Sequence, residues 1–168
     1  MLSTSDLALT QLAAALGERM RASGKRLVTA ESCTGGWIAK VCTDLAGSSS
    51  WFECGFVTYS NEAKERELEV GAELLRVQGA VSESAVVAMA GGALQRTPAQ
   101  AAIAVSGIAG PEGGTQEKPV GTVWFAVAFK VNDRISTMAR LKRFEGGRAD
   151  VRRASVAFAL QLALEFIQ

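Results

Sequence analysis

Short apolar runs rich in β-branched and aromatic residues alternate with stretches of helical spacing along the whole chain, and this alternation restricts the fold more than any other feature. Residues 27–30, 52–59 and 101–105 read as strands, and 122–131 and 135–143 as a longer antiparallel hairpin around the polar pair Asn132-Asp133. Between them lie helical patterns. Leu9, Leu12, Leu16 and Met20 recur at helical spacing behind a cap at Ser3 or Thr4, with Gly24 as the stop. Residues 37–45 follow, then a helix capped by Asn61 and running through Leu68, a short one over 73–77, and one opening at Ser82. The last spans 148–166. Helices interleaved with strands predict an α/β chain: a single-domain, three-layer α/β/α sandwich with a mixed sheet, spanning residues 1–168. At 168 residues and 48% hydrophobic content, it can bury a core without disulfides or metals.

Two turns follow strands and combine glycine with small hydroxylated residues. In Ala30-Glu31-Ser32-Cys33-Thr34-Gly35-Gly36 the turn opens a helix, where backbone N–H groups attract anions and oxyanions. In the stretch 106–115, which opens on Ser106 and closes on Thr115, the glycines Gly107, Gly110, Gly113 and Gly114 permit the backbone to aim successive N–H groups at one point. Neither stretch fits the P-loop or the dinucleotide fingerprint. Taken singly, each also reads as an ordinary tight turn; together, at strand ends of one α/β domain, they predict a cleft that binds a small molecule.

The chain has no histidine, which excludes a Ser-His-Asp triad, a Cys-His pair and any histidine-ligated metal site. A lysine can replace the imidazole if it is neutral. Lys64 falls in the first turn of its helix, where the helix dipole disfavours an ammonium, and Tyr59, the chain's single tyrosine, could hold or relay a proton beside Ser48, Ser49 and Ser50. Glu62 and Glu65 act the other way, and a solvated helix face is the alternative reading. Cys33 is a rival nucleophile, or simply a small buried side chain. Arg148 and Arg152, four apart, share a helix face and can grip a phosphate or line a solvated surface.

Composition bounds the setting. With 18 basic and 17 acidic residues, the near-neutral balance argues against nucleic-acid or anionic-membrane partners. Three cysteines without C-x-x-C spacing, no signal-like N-terminus and no apolar run of bilayer length predict a soluble cytoplasmic protein.

Beyond spacing, the strings from Ala30 to Gly36, Tyr59-Ser60-Asn61-Glu62-Ala63-Lys64, Gly79-Ala80-Val81-Ser82, Val105-Ser106-Gly107-Ile108-Ala109-Gly110-Pro111 and Lys118-Pro119-Val120-Gly121-Thr122-Val123 resemble, in order, the CinA C-terminal domain family in its stand-alone form. The resemblance implies hydrolysis of the carboxamide of nicotinamide mononucleotide to nicotinate mononucleotide and ammonia, without metal or cofactor, in pyridine nucleotide recycling. It implies a homodimer, and no pyrophosphatase activity of the kind tied to the extra domain of two-domain members. By the family's pattern the catalytic serine, tyrosine and lysine fall on Ser49, Tyr59 and Lys64, with Ser48 one step away. Ser32, Thr34, Gly35, Gly36, the 106–115 loop, Arg148 and Arg152 then hold the substrate. A nucleotide-binding regulatory module that catalyses nothing is the competing expectation.

Overall fold

Three helices open on a serine, Ser5, Ser60 or Ser82, whose side chain accepts from a backbone N–H three residues on. The computed structural model describes residues 5–132 and 134–167; Ser3, Thr4 and Asp133 lie outside them. Helix α1 (Asp6–Ala22) is capped by Ser5, whose hydroxyl accepts from the Ala8 N–H at 3.2 Å. Strand β1 (Leu27–Glu31) leads through the turn into α2 (Trp37–Thr43). A single 3₁₀ turn (Ser48–Ser50) then enters β2 (Phe52–Val57). Next come α3 (Asn61–Leu68), α4 (Ala72–Gln78) and α5 (Glu83–Gln95). Strands β3 (Ala101–Gly107), β4 (Thr122–Val131) and β5 (Arg134–Arg143) precede the closing helix α6 (Arg148–Phe166). The expected elements are all present. Two caps differ: Ser5 caps α1 in place of the expected Ser3 or Thr4, and Ser60, not Asn61, caps α3, its shorter side chain accepting from the Ala63 N–H at 3.1 Å while its own backbone stays extended.

The sheet runs β2-β1-β3-β4-β5, with β2, β1 and β3 parallel and the last two pairings antiparallel. Period-2 alternation splits its apolar residues between two cores. Leu27, Ile103, Val105, Phe125 and Val127 pack against α1, α2 and α6, whereas Val28, Ala30, Ala102, Ala104 and Ala126 pack against α4, α5 and the end of α3. This is the three-layer sandwich.

The alanine-rich second face lets α5 lie close to the sheet, and Gly92 lets it lie close to α3. A Cβ at Gly92 would stand 2.0 Å from the Leu68 carbonyl oxygen, so only glycine permits that crossing. The consequence reaches the site, because α3 carries Lys64.

Candidate active site

The C-terminal ends of β2, β1 and β3 point the same way, and the chain leaves them in different directions: from β1 into α2 on one face, from β2 into α3 on the other. Divergence of this kind opens a crevice at the strand ends, where open α/β sheets bind ligands. Here it forms a cleft of about 260 Å³ lined by Ser32, Cys33, Tyr59, Lys64, Ser106, Gly107, Gly110, Gly113 and Arg148, among others.

Ser32 is the first residue past β1, and its N–H extends the ladder to the Val105 carbonyl at 3.0 Å. The bend after it is held by Glu31. That carboxylate, fully buried, accepts from the Thr34 hydroxyl at 2.7 Å and from the Ile38 and Ala39 N–H groups at 3.0 and 2.8 Å. It satisfies orphan donors at the start of α2 and pins the turn against that helix. Gly35 and Gly36, at φ +62° and +89°, supply consecutive left-handed conformations that a side chain would strain.

Lys64 enters from α3. Its side chain is buried, and its Nζ stands 3.1 Å from Ser32 Oγ, 2.7 Å from the Thr58 carbonyl and 3.3 Å from the Tyr59 carbonyl. Burial holds its pKa below the ordinary lysine value. No carboxylate pairs with it among the described residues, so the feared influence of Glu62 and Glu65 is not exerted through contact. As a neutral amine it can give two N–H bonds to the carbonyls and turn its lone pair to the Ser32 hydroxyl. The pair can therefore pass a proton from oxygen to nitrogen. Cys33 is poorly suited to compete: burial, with the Glu31 carboxylate adding to it, pushes its thiol up to about 11.

Other expected residues fall in different places. Ser49 is exposed in the 3₁₀ turn before β2, its carbonyl accepting from Arg26 at 3.2 Å, while Lys64 follows the other end of that strand. Six strand residues (Phe52–Val57) stand between them, roughly 20 Å of extended chain. The structure thus brings Ser32, not Ser49, to the lysine. Tyr59 sits at the rim; its phenol oxygen accepts from Arg148 at 2.9 Å and touches neither Ser32 nor Lys64 through a hydrogen bond. Arg148 also donates to the Gly110 carbonyl at 2.8 Å, tying the cleft's two loops together.

Arg152 turns away from the cleft. It donates to the Cys33 and Thr34 carbonyls at 3.1 and 2.9 Å and lies over the Trp37 ring, bracing the turn from behind. Gly35 and Gly36 line that rear hollow with it, and the Thr34 hydroxyl is committed to Glu31. Gly114 and Thr115 shape the loop instead of the cleft; Thr115 exchanges bonds with Lys118. Sequence reasoning overlooked Glu31, although an acid directly after a buried strand and before a helix start is the available signal. Among the described residues, no group of three or more His, Cys, Asp or Glu side chains is placed to hold a metal ion, and no helix is long and apolar enough to cross a membrane.

A hydroxyl against a buried amine in a crevice at parallel strand ends is an arrangement that nucleophile-and-base chemistry can use. The chain belongs to the CinA C-terminal domain family, whose pattern matches residues 9–167. It is 54% identical over 165 residues, covering 98% of both chains, to the nicotinamide-nucleotide amidohydrolase PncC of Escherichia coli K12. A Pseudomonas putida protein of the same name is 47% identical over 157 residues, covering 94% of this chain and 96% of its own. The crystal structure of the competence/damage-inducible protein CihA from Agrobacterium tumefaciens superposes with a TM-score of 0.89 at 42% identity, over 98% of this chain and 97% of that one.

Proposed function

We propose that this chain hydrolyses the carboxamide of nicotinamide mononucleotide, giving nicotinate mononucleotide and ammonia, with Ser32 as nucleophile and Lys64 as base. The observation that carries the reading is the 3.1 Å approach of Ser32 Oγ to a buried lysine amine inside the cleft. The substrate is drawn from the names of relatives that align along almost the whole chain.

The steps balance as follows. Lys64 Nζ takes the Ser32 proton while Oγ bonds to the carboxamide carbon and the carbonyl electron pair moves onto oxygen. Backbone N–H groups of the turn after Ser32 hold that oxyanion. The C–N bond breaks as Lys64 returns the proton to nitrogen, and ammonia departs. Water then gives its proton to Lys64 and attacks the ester; Ser32 leaves and recovers the proton. The substrate's pyridinium charge favours both the attack and the neutral state of a nearby lysine. Arg148, braced by Gly110 and Tyr59 at the rim, is the cation offered to the phosphate.

A panel of nicotinamide, its riboside, its mononucleotide and the dinucleotide, assayed for ammonia, tests the reading. The mononucleotide is expected to be hydrolysed with the highest kcat/KM, at least about 10²-fold above the riboside if a charge-assisted phosphate contact contributes about 3 kcal/mol. Binding of the mononucleotide, seen as a thermal shift, without ammonia release from any of the four contradicts it.

A further inference from the structure

The hydroxyl of Ser106 is buried and has no hydrogen-bond partner among the described residues. Ser106 lies near the end of β3, is 1% exposed, and lines the same cleft as Ser32 and Lys64. It is also beside Ser32 in the sheet, because Ser32 bonds to the preceding residue, Val105. Its predecessors on that face of β3, Ala102 and Ala104, are alanines packed into the core, and a third alanine would continue the pattern. A buried hydroxyl without a partner surrenders its bonds to water and receives nothing in return. A stability cost kept beside the reacting pair is what a group shows when its partner arrives with the substrate.

We propose that Ser106 is a further catalytic residue, whose hydroxyl binds the carboxamide nitrogen and makes the site selective for an amide leaving group. The inference rests on the amidase reading. A carboxamide NH₂ offers two N–H donors; Ser106 Oγ accepts one. That bond fixes the amide plane, so that the lone pair developing on nitrogen as the C–N bond breaks turns towards Lys64. No proton passes through Ser106: the one that leaves with ammonia is the one Lys64 took from Ser32. An ester leaving group has no N–H to offer and gains nothing from this acceptor.

The test compares nicotinamide mononucleotide with the methyl ester of nicotinate mononucleotide, using the full chain and its Ser106→Ala, Ser106→Thr and Thr29→Val variants. Thr29 is the control, since its hydroxyl is also buried and unpartnered but lies within β1, away from the cleft. Ser106→Ala is expected to lose on the order of 10²-fold in kcat/KM on the amide and far less on the ester. Its Tm is expected to rise by about 2–4 °C, as an orphan hydroxyl is removed. Ser106→Thr should restore the amide-to-ester ratio, and Thr29→Val should raise Tm with both rates unchanged. With an active parent, an unchanged amide rate in Ser106→Ala, or equal losses on both substrates, overturns the role of Ser106 alone. A parent that hydrolyses neither amide nor ester overturns the amidase reading and this inference with it.

Discussion

Ser32→Ala is expected to reduce ammonia release from nicotinamide mononucleotide by on the order of 10⁴-fold or more in kcat, while Ser49→Ala proceeds at the parent's rate. The first expectation follows from losing the only atom that attacks; what remains is the rate a preorganised cleft gives to water. The substitution deletes one oxygen from a turn held by Glu31 and by the Val105 carbonyl, so the fold should persist and a thermal scan should confirm it. The second expectation follows from distance. Ser49 lies in an exposed 3₁₀ turn at the far end of β2, and its carbonyl, which a substitution leaves in place, makes its contact with Arg26. Steady-state kinetics on the two variants checks both halves together.

Lys64→Met is expected to cost on the order of 10³-fold or more in kcat, and Lys64→Arg a similar amount. Methionine fills the buried volume without a lone pair, and a guanidinium stays protonated at any working pH. The parent's pH dependence carries the same claim. Burial lowers the Lys64 pKa, so the neutral base is populated below the ordinary lysine range, and kcat/KM should rise with pH through that group and then level. The sign for stability is equally definite. Between the lowered folded value and the unfolded value near 10.5, the unfolded chain binds more protons at this residue, so unfolding free energy rises with pH across that window. Lys64→Met should remove this contribution. A kcat/KM profile flat from mildly acidic to alkaline pH, or a Met variant of undiminished rate, would contradict the role of the amine.

The layers of the fold were legible because they depend on local signals. The short apolar runs of β1 and β3, the hairpin of β4 and β5, and the periodicity of α1 and α6 are each local signals that tertiary context did not override. The site was legible in pieces. Lys64 and the turn after β1 could be named because the chain has no histidine and because glycine and hydroxyl residues follow a buried strand. Their partnership could not. Ser32 and Lys64 are 32 residues apart and meet only because β1 and β2 pair in parallel, with α3 folding back over their ends. Proximity in sequence and the family's pattern pointed instead to the serine run at 48–50, which lies at the opposite end of β2. Arg152 shows the same limit. Its spacing from Arg148 placed the two on neighbouring turns of α6, but one helix step sends one guanidinium to the rim and the other behind the turn that follows β1.

The most direct measurement traps the intermediate. The chain is quenched in acid during turnover of nicotinamide mononucleotide, digested and mapped by mass spectrometry. An acyl adduct of the nucleotide on Ser32 is the predicted result; an adduct on Cys33 or Ser49 would contradict the account.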